Sequence, residues 1–294
     1  MTVAVLPNVP SDDATAPRRL LPQAHAKAWG RMGDSPWGLG LTSAALAIGE
    51  IHHAQPGADD PELLVKTLFT GDRLSIQVHP DCAAAARLGL RRGKDEAWVV
   101  LAAEPGALIG LGLREACDTA TLRAAALDGS IVDRLHWHAC APGDVFHTPA
   151  GTIHAIGAGV TLFEIQQNND VTWRLHDYGR DRGLHLEQGL AMALTGAWVA
   201  PLPLAPPGPG RELLVSGPGF VLERVRLAGK ALLCPAAGQP LWLAVVDGGG
   251  RFETAPFEKG QVWLAEAGAL LAGQADLLLA YPGADPVPKL WSAG

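Results

Sequence analysis

The chain has 294 residues, 48% apolar and 18% charged, with 35 glycines and 23 prolines. That balance excludes long-range disorder and favours turns over long helices, while the length allows two domains or one large all-β unit. With 23 Lys and Arg against 30 Asp and Glu the net charge is -7, so no basic field exists to hold nucleic acid or an anionic membrane.

Met1 to Leu20 has no hydrophobic period, and Pro7, Pro10, Asp12 and Asp13 interrupt anything resembling a leader, so a frayed or extended surface segment is expected. No run reaches the ~18 apolar residues of a membrane helix. Cys82, Cys117, Cys140 and Cys234 form no C-x-x-C pair and read as reduced, mostly buried thiols. A soluble cytoplasmic protein is expected, with monomer and homodimer both open.

Val65 to Leu74 and Ser75 to His79 read as two short strands around a Thr70-Gly71-Asp72 turn, and Ala97 to Leu101 as a third. Ala116 to Asp128 has helical spacing, with Asp118 or Thr119 as N-cap and Gly129 as its stop. Strand signals resume at Gly143 to His147, Gly159 to Gln166 and Val171 to Leu175, and Leu186 to Leu194 reads as a second helix. Pro201 to Arg211, with five prolines and two glycines, reads as a linker. Beyond it, Phe220 to Leu227, Leu241 to Asp247, Gln261 to Ala265 and Leu277 to Tyr281 read as strands separated by glycine-rich turns such as Gly248-Gly249-Gly250.

Three pieces carry chemistry. Gln77 and His79, two apart on a strand, share a face and can converge on one metal. Glu96 follows Lys94 and Asp95 at a strand entrance. The third, Gly143-x5-Pro149-x-Gly151-x-x-His154, takes a strand into a Pro/Gly turn and starts the next strand with a histidine.

The third pattern resembles the second motif of the cupin superfamily, small jelly-roll barrels that hold a metal inside. The first cupin motif is matched loosely, with Gln77 and His79 in its histidine positions and Glu96 seventeen residues later. IQVHPD, GKDEAW, PAGTIHAIGAG and EIQQNNDVTWRLHDYGR together resemble the type I mannose-6-phosphate isomerase family, as do PELLVKTL, WGR at Trp29 and IGE at Ile48. The resemblance runs from Trp29 to Leu190 and implies an all-β protein with a few short helices, built as two cupin-type jelly rolls. On this reading residues 1–200 form the catalytic domain, 201–211 the linker, and 212–294 a degenerate cupin with no histidine of its own.

Carried over by position, the resemblance makes Gln77, His79, Glu96 and His154 the metal ligands. Zn²⁺ suits that donor set best, with other divalent first-row ions also compatible. It implies an aldose–ketose isomerase that moves a proton between C1 and C2 of an opened sugar phosphate through a cis-enediolate, with Arg174 and Lys94 beside the reacting oxygens. The base is either Glu164 or a lysine depressed by the metal's charge. Lys66, Ser75, Arg180 and Arg182 are the candidates for phosphate, and His53 and His176 are expected at the pocket border. The 58 residues from Glu96 to His154 leave no room for a large helical insertion. GEIHHA and HDYGR depart from the family's usual tryptophan-bearing segments, which puts sugar and phosphate preference at issue more than the metal. An iron dioxygenase and a non-catalytic sugar-phosphate binder are the alternatives.

Overall fold

The structure is a computed structural model and describes residues 16–34, 42–54, 60–253 and 255–294. It contains three antiparallel sheets in two units. A six-stranded sheet runs Leu21–Asp34, Thr42–Ala54, Leu63–Phe69, Val160–Gln167, Glu96–Ala103, Val145–Thr148 in spatial order. A five-stranded sheet runs Trp173–His176, Ile76–Val78, His154–Ile156, Leu108–Leu113, Leu135–Ala139. The C-terminal unit is one eight-stranded sheet built on three long strands, Phe220–Leu233, Leu241–Phe252 and Ala269–Pro282.

Alternation along each strand assigns the layers. Val65, Phe69, Ala97, Val99, Phe163 and Ile165 of the six-stranded sheet pack against Phe220, Leu222, Trp242 and Leu278 of the C-terminal sheet, forming a dry sheet-on-sheet core. The opposite face of the same strands carries Lys66, Glu96, Trp98, Glu164 and Gln166, and it looks toward the five-stranded sheet. There Ile76 and Val78 turn outward into a third core with Leu122, Ala126 and Leu190 of the short helices. All eight residues of Val160–Gln167 are therefore buried, because both faces of that strand are covered.

The helix Thr119–Asp128 is capped by Asp118, whose carboxylate accepts the Thr121 N–H at 2.7 Å, and it ends at Gly129 with φ 87°. Leu186–Met192 stops two residues short of the expected helix. Cys82–Arg87, capped by Asp81, and Ile131–Arg134 are short helices that the pattern did not announce.

Residues 1–15 lie outside the described residues; Arg18–Arg19 takes the extended form of the two expected and pairs with Trp263 and Leu264 in the C-terminal sheet. Two expectations need correction. Cys82 is exposed and the other three cysteines half-buried, all four free, so the thiols are reduced but not core residues. Gly248-Gly249-Gly250 is no turn between strands. Gly250 stands opposite Gly273, and Gly273 opposite Gly229, so a row of glycines crosses the three long strands. A Cβ on Gly273 would lie 2.5 Å from both the Gly249 carbonyl oxygen and the Gly250 Cα, so only glycine lets the sheet fold sharply onto itself there. The long strands thereby serve both layers of the C-terminal unit, enclosing Val225, Leu243, Trp263 and Leu279.

Candidate functional site

Strand register assembles the site. In the five-stranded sheet His154 stands opposite Gln77, and Gln77 opposite Arg174, so three neighbouring strands present these side chains in one row. Ser75 and His79 lie two residues either side of Gln77 on the same face. In the six-stranded sheet Lys66, Glu164 and Trp98 form a second row, and Gln166 stands opposite Glu96. Between the rows is a cavity of about 400 Å³.

At its floor the side chains of His79, Glu96 and His154 offer ligand atoms within 4.8 Å of one another. His79 Nδ1 donates to the Val171 carbonyl and His154 Nδ1 to the Thr152 carbonyl, each at 2.9 Å. A carbonyl only accepts, so both rings carry their proton on Nδ1 and leave the Nε2 lone pair inward. Those lone pairs lie 3.3 Å and 3.8 Å from the Glu96 carboxylate oxygens. Burial, with Lys94 adding to it, pushes the His79 imidazole down to about 4 against the pull of Glu96. Burial likewise lowers His154. Burial pushes Glu96 up, but Lys94, His79 and His154 outweigh it and hold the group well below the usual carboxylate range. Two neutral imidazoles and an anionic carboxylate are the protonation states that ligate a metal.

Glu96 Oε1 meets the Lys94 ammonium at 3.1 Å, whereas Oε2 is buried with no hydrogen-bond partner. The carboxylate thus lies against both imidazole nitrogens, Oε1 beside His79 and the unpartnered Oε2 beside His154, an arrangement that a cation would complete. Gln77 presents its amide nitrogen to this cluster, with Nε2 3.3 Å from His154 Nε2, while its Oε1 accepts from the Ser75 hydroxyl at 2.9 Å. His79, Glu96 and His154 therefore fit a divalent ion with two nitrogen donors and a carboxylate, with the Gln77 side chain beside them.

Charge continues up the wall. Lys66 Nζ lies 3.1 Å from Glu164 Oε2, and Trp98 Nε1–H donates to Glu164 Oε1 at 3.0 Å. Burial pulls the Lys66 ammonium down, but Glu164, Glu50 and Glu96 outweigh it, so Lys66 is held protonated. Higher still, Glu50 meets His52 at 2.7 Å and Lys27 at 3.0 Å. Burial raises Glu50, but His52, Lys66 and Lys27 more than offset it and keep the group ionised.

Gln77, Glu96, Lys94, Glu164, Lys66, Ser75 and Arg174 all border the cavity, with His79 and His154 completing the floor behind Glu96. Arg180 does not: its guanidinium is turned to Asp177 and Asp72, and Arg182 borders the cavity in its place. His53 and His176 are not border residues either. His53 faces the C-terminal unit and bonds Thr67, because strand alternation sends its neighbour His52 inward; His176 meets the Ala126 carbonyl. Sequence reasoning missed His25, Lys27 and His52, which border the cavity. Their signal was polar residues at alternate positions beside Trp29 and Glu50.

Among the described residues no helix is long and apolar enough to cross a membrane. No protein-family model matches the chain. The mannose-6-phosphate isomerase of Streptococcus mutans is 36% identical over 197 residues, covering 64% of this chain and 62% of that protein. Mannose-6-phosphate isomerase ManA of Bacillus subtilis is 37% identical over 135 residues, covering 44% of this chain and 42% of the relative. The chain thus matches less than two thirds of the length of either curated relative. Among solved structures, mannose 6-phosphate isomerase from Bacillus subtilis superposes with a TM-score of 0.76 at 23% identity, covering 90% of this chain and 99% of that one, which establishes a shared fold. These relatives carry the name of the family that the sequence motifs resemble.

Proposed function

We propose that this chain is a divalent-metal-dependent aldose–ketose isomerase that interconverts mannose 6-phosphate and fructose 6-phosphate. The observation that carries the reading is the buried Glu96 carboxylate set against the Nε2 atoms of His79 and His154, with one oxygen unpartnered, in a cavity that Lys66, Lys94, Glu164 and Arg174 also border. The names of the curated relatives support the substrate.

Gln77, His79, Glu96 and His154 would hold the ion, with Zn²⁺ first among candidates for this donor set. Bound there, the ion supplies Lewis-acid stabilisation of the negative charge that builds on the substrate oxygens. The chain's own residues do the rest. Lys94, fixed by Glu96, and Arg174, fixed by the Gly183 carbonyl at 3.1 Å, set positive charge at both ends of the reacting carbons. Glu164 takes the proton from one carbon, exchanges it with solvent, and delivers a proton to the next. Lys66 is kept protonated by its carboxylate neighbours and so orients Glu164 instead of competing as base. Trp98 holds the second carboxylate oxygen, fixing the plane of the group. The cavity border counts five Lys and Arg against four carboxylates, so a divalent ion leaves the site net positive, as a phosphate dianion requires.

The test is conversion of mannose 6-phosphate by the zinc-loaded chain in deuterated water. Formation of fructose 6-phosphate with solvent deuterium at C1 supports proton transfer through an enediolate, and absence of turnover overturns the assignment.

A further inference from the structure

Beyond the strand Trp173–His176 the chain turns through Asp177, a buried carboxylate that grips two guanidiniums. Arg182 donates from Nε and Nη2, each at 2.6 Å, and Arg180 from Nη1 at 2.9 Å. From there the two arginines part. Arg180 Nη2 continues to Asp72 at 3.0 Å and to the Arg73 carbonyl, so it pins this loop to the segment ahead of Ser75. Arg182 borders the cavity. Its two bonds to Asp177 use one proton on Nε and one on Nη2, which leaves three N–H donors for another acceptor.

The loop is held in a costly shape. Tyr178 has φ 55°, a left-handed conformation rare for an aromatic residue, followed by Gly179 at 80°. The Arg73 guanidinium lies 3.8 Å over the Tyr178 ring, which adds to the hold. The same loop brings the Gly183 carbonyl to Arg174 Nε and the His185 N–H to the Arg174 carbonyl at 2.8 Å. Two guanidiniums that would repel one another in one cavity are thus fixed by a single connection.

Resting on the isomerase reading, we propose that Asp177 is the positioning residue of an anion clamp: it aims Arg182 at the phosphate group of the substrate, while Arg180 is a staple and no phosphate ligand. Preorganisation is the advantage, since an arginine already locked by a buried carboxylate loses little further freedom when the phosphate arrives.

The experiment uses the zinc-loaded full-length chain and two readouts, steady-state kinetics with mannose 6-phosphate and direct calorimetric titration with inorganic phosphate. Arg182→Gln is expected to raise KM and the phosphate Kd by about tenfold to a hundredfold with kcat changed less than about threefold, the scale of one charge-assisted contact. Asp177→Asn is expected to raise both by about five- to twentyfold at unchanged zinc content. Should Asp177→Asn not fold, Arg182→Lys, which keeps the charge and loses the planar fork, carries the test with the same direction. The proposal is overturned if Arg180→Gln weakens phosphate as much as Arg182→Gln, or if Asp177→Asn lowers kcat and zinc content together and spares KM. A wild-type chain that binds phosphate through Arg182 yet turns over no mannose 6-phosphate leaves the clamp standing and removes the isomerase reading.

Discussion

His53 gives a pH dependence that can be worked from one side chain. It is 3% exposed at the interface of the two units, with Nε2 3.0 Å from Thr67 Oγ1. Burial, then the nearby His52 and Arg19, lowers its pKa from 6.5 to about 3. Between those values the unfolded chain binds a proton that the folded chain refuses, so stability rises with pH across the window and is lost as pH falls below 6.5. One proton corresponds to a slope of about 1.4 kcal/mol per pH unit, or about 2 kcal/mol between pH 7 and pH 5. His53→Gln keeps an amide near Thr67 and does not titrate. Urea unfolding of both metal-free proteins at pH 7, 6 and 5 isolates the effect, because the remaining histidines are common to the two. Wild type is expected to be the more stable at pH 7, with its advantage shrinking by about 2 kcal/mol at pH 5. An advantage independent of pH would refute the reasoning.

Glu164→Gln keeps shape and both neighbours but removes the proton acceptor; kcat is expected to fall by about a hundredfold or more with zinc affinity unchanged, and a loss below about threefold contradicts the assignment. Glu96→Gln removes the only carboxylate of the cluster and leaves Lys94 buried without its counter-charge, so zinc affinity should drop more than about a hundredfold and the metal-free chain should lose about 3 kcal/mol, read by competition with a chelator and by urea unfolding. Gly273→Ala sets a methyl 2.5 Å from backbone atoms of the neighbouring strand and should cost at least ~2 kcal/mol, while zinc binding in the folded fraction is unaffected.

The residues that meet at the cavity floor were the most legible part of the sequence, because their motifs sit on strand ends and turns where spacing alone sets direction. Gln77, His79, Glu96 and His154 come together through register: one residue of slip in Ile76–Val78 would send Gln77 into the core and Ile76 into the cavity. The Asp118 cap and the Gly129 stop were equally readable, being local chemistry. What escaped was long-range. Leu108–Leu113 lies between covered layers, where burial on both faces erases alternation. The C-terminal glycines looked like turns, since their meaning lies in cross-strand pairing with one another. Arg180 and Arg182 are two apart with similar surroundings in sequence, and only the position of Asp72 draws one out of the cavity.

The central claim is that the floor cluster is a metal centre on which isomerisation depends, and the direct measurement is activity against metal content. The chain is stripped with chelator, reloaded by stepwise addition of Zn²⁺, and assayed at each step for fructose 6-phosphate formed from mannose 6-phosphate. The account predicts no activity in the stripped chain and a rise that saturates at one ion per chain, abolished in Glu96→Gln. Full activity in the stripped chain, or metal bound stoichiometrically with no turnover, would contradict it.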